Sequence, residues 1–339
     1  MNVLRRLALA MLLSLTAVGC ATQSTSEYDG ALTFALENDT LTGSDNSYTN
    51  GVGVTWVSSD LDSYDDDAFV RNWGEFWSFL PFVSDEGYQT YAAWSVAQEM
   101  HTPDDLSLMD PPAGDQPYAG VLTVDSLLYA RSERWTHAWG LKLGTVGPSS
   151  QADDTQKWFH DLIGDQDPEG WDTQLADEPV INVGFTSAYL WKQGSAGGTA
   201  EWRLVPVGNA SLGTYFTGAG LGLYAEVGWN LVDALGGTAL REGLNAASTV
   251  GVGPIEGWSV SFFGGIAGHA IAHYLPLDGT VFKYSRSVDT QSFIRNFSAG
   301  VAVRRYGFTL SLSATFSTDA FEAQHESAEF GTLSMSWYF

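Results

Sequence analysis

The sequence predicts an all-β protein: a transmembrane antiparallel β-barrel of about twelve strands, with a short helix in an extracellular loop. Three observations support this prediction. Segments of about ten residues with alternating apolar and polar side chains recur to the last residue. Aromatic residues make up 13% of the chain, which also has 37 glycines. No segment after the N-terminal leader is apolar over the length of a membrane-spanning helix, whereas tilted strands of this length can cross an outer membrane.

The first 20 residues have the features of an export signal. Arg5 and Arg6 precede the short apolar run Leu7–Leu15, and small residues follow in Thr16–Ala21. We therefore predict a signal peptide over residues 1–20 and a single outer-membrane β-barrel domain over residues 21–339. The end of the leader also resembles a lipoprotein cleavage site, so lipidation of Cys20 and ordinary cleavage after it are both open.

The composition excludes several classes of protein and site. Cys20 is the only cysteine, which rules out an intramolecular disulfide and a thiolate metal site. Without the leader, 13 basic residues face 40 acidic ones, a net charge of −27. This acidity argues against nucleic acid as a partner and suits surroundings rich in divalent cations.

Twelve segments alternate with a period of two and are predicted to be strands. They are Gly30–Glu37, Gly51–Ser58, Gln89–Glu99, Ala119–Arg131, His137–Val146, Val180–Lys192, Glu201–Ala210, Tyr215–Trp229, Trp258–His269, Gln291–Arg304, Tyr306–Phe316 and Glu329–Phe339. Many of them carry Trp, Tyr or Phe near their ends, as the aromatic girdle of an outer-membrane barrel requires.

The last strand is the most informative one. It places Phe330, Leu333, Met335, Trp337 and Phe339 at or near one face and ends on an aromatic carboxy-terminus. Outer-membrane barrels commonly end in this way, as a signal to the barrel assembly machinery. The alternative is an aromatic strand of a soluble sandwich. In lipid the backbone must satisfy its own hydrogen bonds, and these strands can do so as a closed barrel.

Two long segments interrupt the alternation. Asp60–Gly87 is acidic at first and aromatic later, and we predict an extracellular loop with a short helix or an elongated hairpin. Ser149–Pro179 is the better candidate for a helix. Asp153 and Asp154 suit the positive end of a helix dipole, and Gly164 can end the helix.

The predicted helix carries the first candidate for catalysis, His160. Gln156 lies four residues earlier and therefore shares its face. Trp158 and Leu162 share a neighbouring face and are expected to pack on the barrel. A histidine can take a proton from water and return it to a leaving group. A lone histidine is more often structural, so the residues alone leave both interpretations open.

Short oxygen-bearing side chains join the first two strands in the stretch "LENDTLTGSDNSYTNG", Leu36–Gly51. Asn38 and Asp39 end one strand and Thr49 begins the next, so a hairpin brings them opposite one another. Their oxygens suit a hard cation such as Ca²⁺. The alternative is ordinary turn chemistry with local backbone bonds.

Four stretches resemble the outer-membrane lipid A 3′-O-deacylase family. They are "LENDTLTGSDNSYTNGV" (Leu36–Val52), "GDQPYAGVL" (Gly114–Leu122), Val146–Leu175 and the carboxy-terminal Ala320–Phe339. The resemblance covers most of the mature chain. It implies a twelve-stranded barrel whose site lies between the outer wall and a helix from an extracellular loop.

The resemblance also implies an activity and a site. The activity is that of a Ca²⁺-dependent carboxylic ester hydrolase that cleaves the 3′-linked acyloxyacyl group of lipid A in lipopolysaccharide. The catalytic residues implied are Asn38, Asp39, Thr49, Gln156 and His160. His160 would activate water, and a Ca²⁺ held near Asn38, Asp39 and Thr49 would polarise the ester carbonyl and stabilise the oxyanion.

The sequence departs from the family at two places. Gln166 stands where the family has a glutamate, and whether Gln166 itself or one of the flanking residues Asp165 and Asp167 takes the place of that acid is open. Asp104–Ala113 has no basic residue to meet a lipid A phosphate.

The Gly114–Leu122 motif is given no catalytic role. In Gly114–Leu122 we interpret Pro117 and Gly120 as a turn entering a strand, and Tyr118 as an interfacial aromatic, rather than as substrate contacts.

Two other functions are compatible with the sequence. One is a non-catalytic outer-membrane barrel, such as a channel, an adhesin or a structural protein. The other is an outer-membrane phospholipase that uses the same histidine and calcium chemistry on glycerophospholipids.

Overall fold

A computed structural model of the chain describes residues 30–39, 48–59, 61, 68–164, 166–197, 199–232, 255–324 and 327–339. The predicted signal peptide, with Cys20, lies outside these residues. Within them, no helix combines the length and the apolar character needed to cross a membrane.

The described chain is mostly strand. The strands are β1 Gly30–Asn38, β2 Tyr48–Ser58, β3 Gln89–His101, β4 Ala119–Arg131, β5 Trp135–Val146, β6 Glu178–Tyr189, β7 Lys192–Ala196, β8 Ala200–Gly213, β9 Phe216–Trp229, β10 Ile255–Tyr274, β11 Phe293–Tyr306, β12 Phe308–Ser317 and β13 Glu329–Tyr338. The helices are α1 Ala68–Phe76, α2 Ala152–Ile163 and the short α3 Leu275–Asp278.

The strands close into a barrel, as predicted. Each strand pairs antiparallel with its neighbours, β1 pairs with β13, and β6 pairs with β8. Twelve strands therefore form the ring, and β7 is an additional short strand that pairs with the first five residues of β8, Ala200–Leu204. The predicted strand Val180–Lys192 is in fact interrupted. Strand β6 ends at Tyr189, and β7 begins at Lys192 and pairs with the same strand, β8.

Side chains alternate between the two faces of the barrel wall. Outward positions such as Phe34, Val96 and Ile181 are about half exposed, as expected for a surface that contacts lipid. Inward positions below the extracellular end include charged side chains: Lys142 lies 3.8 Å from Glu99 and 3.4 Å from Asp125 inside the barrel.

The lengths of the connections orient the barrel. At one end, residues 132–134 and the single residue 307 suffice to turn the chain. At the other end, residues 102–118, 147–177 and 275–292 form long loops. Short turns are periplasmic and long loops extracellular in such barrels, so the termini and these two short turns lie at the periplasmic end. Residues 214–215 form a short connection at the extracellular end.

This orientation corrects one prediction. Asp60–Gly87 was expected in an extracellular loop, but it joins β2 to β3 at the periplasmic end, next to the bridge between Leu61 and Thr90. The β1–β2 loop is already at the extracellular end, and antiparallel strands alternate, so the next connection must be at the opposite end. The predicted helix in this segment is present as α1.

An apolar cluster fills the extracellular end of the barrel interior. Tyr215, Tyr274, Leu275, Leu277 and Phe321 are buried there with inward residues of β4, β5, β6 and β11. Helix α3 contributes both leucines by folding into the mouth. Below the cluster, the Tyr215 hydroxyl donates a hydrogen bond to Glu99 (2.5 Å). The mouth of the barrel is therefore occupied by side chains.

Candidate active site between the barrel wall and helix α2

The extracellular loop after β5 holds the start of α2 in a fixed position. Gly147 has φ 99° and donates its N–H to the Gly120 carbonyl (2.9 Å). A Cβ at Gly147 would lie 2.7 Å from the Leu175 carbonyl oxygen, so only glycine fits between these two stretches of chain. Ser149 N–H then donates to the Asp177 carboxylate (2.7 Å).

Helix α2 lies against the outside of β3 and β4. Its start touches the wall at Gly120, where a Cβ would come within 2.3 Å of both Ala152 Cβ and Ser150 Oγ. Gln98 of β3 donates from Nε2 to the Ser150 carbonyl (2.6 Å). Gly120 therefore lies within β4, not in the turn predicted before it, and its missing side chain makes room for the helix.

The predicted ends of the helix are confirmed. Asp153 and Asp154 are in its first turn. Gly164 ends it in a left-handed conformation (φ 77°) and donates its N–H to the His160 carbonyl (2.8 Å).

The predicted faces of the helix are reversed. Trp158, expected to pack on the barrel, is 64% exposed, whereas Gln156 and His160 are buried. The side chain of Leu162 lies outside the described part. The helix thus turns its polar candidates toward the wall and presents an aromatic residue outward, as a helix beside lipid can do.

The imidazole of His160 is oriented by the chain that follows the helix. Its Nδ1 lies 2.5 Å from the carbonyl oxygen of Gln166, so Nδ1 carries the proton and donates it. Nε2 is then the basic nitrogen. The side chains of Gln166 and Asp167 are exposed and Asp165 lies outside the described residues. The backbone carbonyl of Gln166 therefore orients His160.

Gln156 is oriented by a tryptophan that sequence reasoning missed. Trp171 donates from Nε1 to Gln156 Oε1 (2.8 Å), and both side chains are buried. The amide Nε2 of Gln156 is buried with no protein acceptor in the described part of the chain. Trp171 lies within the family-like stretch Val146–Leu175, so that motif contained the signal.

The ring of Tyr118 packs against the ring of Trp171. The two rings are 5.0 Å apart. Tyr118 was predicted to be an interfacial aromatic, but it is fully buried because the loop after α2 covers it. Burial, reinforced by nearby carboxylates, raises the pKa of Tyr118 to about 12. Its hydroxyl is thus protonated at neutral pH and cannot serve as the base.

The barrel wall carries the second group of candidate site residues. Asn38 and Asp39 are buried at the end of β1. Asn38 donates from Nδ2 to Asn50 Oδ1 (2.6 Å), and Asn50 is also buried. The amide Nδ2 of Asn50 has no protein acceptor among the residues that the structure describes.

The unbroken register of β1 against β2 places Asn50, rather than Thr49, opposite Asn38. The register of β2 against β3 shifts between Tyr48 and Asn50, which makes Thr49 the extra residue of a bulge. The side chain of Thr49 is outside the described part, so its predicted role stays a prediction. Alternation alone does not determine which residue of the second strand lies opposite Asn38, which is why Asn50 was missed.

The oxygen donors of the wall suit a hard cation. Within the described residues, no three His, Cys, Asp or Glu side chains cluster closely enough to hold a metal. Calcium, however, also takes carboxamide, hydroxyl and backbone oxygens. The buried carboxylate of Asp39 beside the Asn38 carboxamide is compatible with such a site.

Comparisons with known proteins place this arrangement in context. The family model described as outer membrane protein LpxR matches residues 7–339. No curated protein sequence matches the chain.

The structure of LpxR from Salmonella typhimurium superimposes with a TM-score of 0.71 at 17% identity, covering 91% of this chain and 100% of that one. The β-domain of the Bordetella autotransporter BrkA gives a TM-score of 0.43 at 10% identity, covering 93% and 100% of the two chains. The translocator domain of NalP from Neisseria meningitidis gives 0.39 at 7% identity, covering 100% and 97%. The last two values are too low to indicate a common fold.

Proposed function

The chain belongs to the outer membrane protein LpxR family, and from this premise we propose that it is an esterase that hydrolyses the 3′-linked acyloxyacyl group of lipid A. The family membership confirms the resemblance carried by the sequence motifs. Together with the closed barrel, it locates the protein in the outer membrane. We propose the ester hydrolysis itself, His160 as its base and calcium as its metal ion.

The observation that carries the proposal is a pair of buried amide donors that have no acceptor among the residues the structure describes. Asn50 Nδ2 belongs to the wall and Gln156 Nε2 to the helix. Burying an N–H donor without an acceptor costs about 1–3 kcal/mol, so such groups usually serve a purpose. Donors of this kind are suited to an ester carbonyl oxygen, and more so to the oxyanion that forms when the carbonyl is attacked.

His160 is the base in this proposal. Because Nδ1 donates to the Gln166 carbonyl, Nε2 can accept a proton from water while the ring stays in one orientation. The water attacks the carbonyl carbon, and the imidazolium returns the proton to the leaving sugar oxygen. The products are a free carboxylic acid and a hydroxyl on lipid A.

Asn38, Asp39 and Thr49 would hold the calcium ion that the family resemblance implies. A calcium ion bound there supplies positive charge to polarise the ester carbonyl. The carboxylate of Asp39 is the charged member of this set, and its burial at the rim keeps it from being screened by water.

The dimensions of the wall and the helix are compatible with one shared site. Asn38, Asn50, Met100 and Gly120 are successive partners along one row of the rim. With about 4.8 Å between strands, Asn38 is roughly 14 Å from Gly120. Helix α2 begins over Gly120, and His160, eight residues later, lies about 12 Å along its axis. A helix crossing from β4 toward β1 would carry His160 over the wall candidates.

The channel alternative is disfavoured by the filled mouth of the barrel. The apolar cluster around Tyr215, Leu275 and Phe321 occupies the extracellular end, where a pore would need to be open. Planar bilayer recordings of the purified protein are therefore expected to show no steady conductance. Regular porin-like steps would contradict this expectation.

Mass spectrometry of lipids tests the proposal against the remaining alternative. The chain is expressed in cells that lack lipid A deacylase activity, with the His160→Ala variant as the control. Loss of the 3′ acyloxyacyl mass from lipid A, in the wild type alone, supports the proposal. Lysophospholipid with intact lipid A would identify a phospholipase instead, and unchanged lipids with a folded barrel would contradict both.

A further inference from the structure

The periplasmic connection between β2 and β3 is long and contains a helix. Turns at the periplasmic end of outer-membrane barrels are short, and residue 307 alone joins β11 to β12. The β2–β3 connection instead contains α1, Ala68–Phe76, followed by turns through Val83.

Helix α1 lies on the outer face of the wall. Val70 of α1 and Val83 are buried against Ala92 of β3 and Leu128 of β4. Ala92 and Leu128 are 0% and 3% exposed, yet they point outward like Val96 and Val124 further along the same strands, which are 52% and 50% exposed. The α1 segment therefore covers wall that would otherwise contact lipid.

The covered wall is part of the periplasmic aromatic girdle. Elsewhere around this end, outward-facing tryptophans are open to the surroundings: Trp135, Trp229, Trp258 and Trp337 are 42–65% exposed. Behind α1, Trp94 stacks on Trp56 (5.5 Å between ring centroids) and is covered by Phe69 (5.0 Å). Trp139 donates from Nε1 to the Pro81 carbonyl (3.0 Å). The segment thus lies at the depth of the girdle.

The outer side of the segment is aromatic. Phe69, Phe76 and Phe79 are 71%, 62% and 73% exposed. Three neighbouring phenylalanines facing water would be an apolar patch of the kind that marks an interaction site. Here they extend the lipid-facing surface of the barrel outward, in place of the wall residues that α1 covers.

Three faces of α1 point in three directions. At 100° per residue, Val70 and Gly74 mark the face on the wall, and Phe69 and Phe76 lie about 120° to one side. Arg71 and Glu75 lie about 100° to the other side. A helix at the edge of a membrane beside a barrel needs these three faces: one for protein, one for acyl chains and one for water.

We propose that the α1 segment, residues 68–83, is an interfacial helix bound to phospholipids of the periplasmic leaflet, with Phe69, Phe76 and Phe79 inserted among them. The continuity of these rings with the lipid-facing wall identifies the occupant as lipid. Arg71 and Glu75 then face the headgroups and the periplasm.

Site-specific quenching tests this placement in the full-length protein. A Cys20→Ser background leaves an introduced cysteine as the only thiol. Phe76→Cys is labelled with an environment-sensitive fluorophore in phosphatidylethanolamine–phosphatidylglycerol nanodiscs, and Glu75→Cys on the polar face is the matched control. Phe79→Cys repeats the measurement if Phe76→Cys fails to fold, and heat-modifiable gel mobility reports folding.

The expected result is opposite quenching at adjacent positions. The label at residue 76 should be quenched several-fold more by spin-labelled lipid than by aqueous iodide, and the label at residue 75 the reverse. Equal iodide quenching at both positions would place the ring in water and overturn the proposal. Protection of residue 76 from both quenchers would overturn it too. Neither water nor lipid would then reach the label, so a protein surface, such as a second copy of the chain, would cover this face.

Discussion

Replacing Gly120 with alanine should displace α2 from the wall without unfolding the barrel. The new Cβ would lie 2.3 Å from Ala152 Cβ and from Ser150 Oγ, whereas ordinary contacts begin near 3.4 Å. The start of the helix must therefore move by about 1 Å. A misplacement of this size can reduce catalysis roughly 100-fold, or about 2.7 kcal/mol in the activation free energy. Gln156 and His160 move with the helix.

The assay measures fatty acid release from purified lipid A, with heat-modifiable mobility as the measure of folding. Gly140→Ala is the matched control, since a Cβ there would meet no atom closer than Leu127 Cδ2 at 3.7 Å. It should keep wild-type activity. The triple variant Gly120→Ala/Ser150→Ala/Ala152→Gly lacks the Ser150 Oγ and Ala152 Cβ atoms that obstruct the new Cβ. It should regain part of the lost activity. A folded Gly120→Ala variant with full activity would refute the idea that α2 must rest on β4.

Three further substitutions separate the roles of the site residues. Trp171→Phe keeps the ring but removes the donor to Gln156 Oε1, so lipid A hydrolysis should fall about 10-fold, as expected for one lost buried hydrogen bond; wild-type rates would exclude a positioning role. Gln166→Ala should leave the rate within about 3-fold, because its backbone carbonyl orients His160, and a large loss would show that the side chain matters. Asp39→Ala should abolish turnover or raise the calcium concentration required for it at least 10-fold, and an unchanged calcium titration would remove Asp39 from the metal site.

The sequence predicted the barrel well because alternation and strand length are physical requirements of a wall with lipid on one side. It predicted the end of α2 at Gly164 because a left-handed residue is needed there. It did not predict the break between β6 and β7, since the alternating pattern continues across Trp191. The predicted extracellular location of α1 was also wrong. The order of the antiparallel strands would have placed the β2–β3 connection at the opposite end from the β1–β2 connection.

The candidate site was only partly accessible from the sequence. Gln156 and His160 were found together because they are four residues apart on one helix. Their burial and the exposure of Trp158 were not foreseen, because a helix beside lipid can reverse the usual polarity of its faces. The place of Asn50 depends on the register of β1 against β2, which alternation does not determine. The contact of Trp171 with Gln156 depends on the folding of a loop, although Trp171 lies within a stretch that resembles the family.

The release of fatty acid from lipid A by the purified barrel tests the central claim most directly. It is measured with calcium, with a chelator, and with the His160→Ala variant in calcium. The account predicts release of the 3′ acyloxyacyl group by the wild-type protein in calcium alone. Release that survives His160→Ala, or intact lipid A after incubation with folded wild-type protein and calcium, would contradict it.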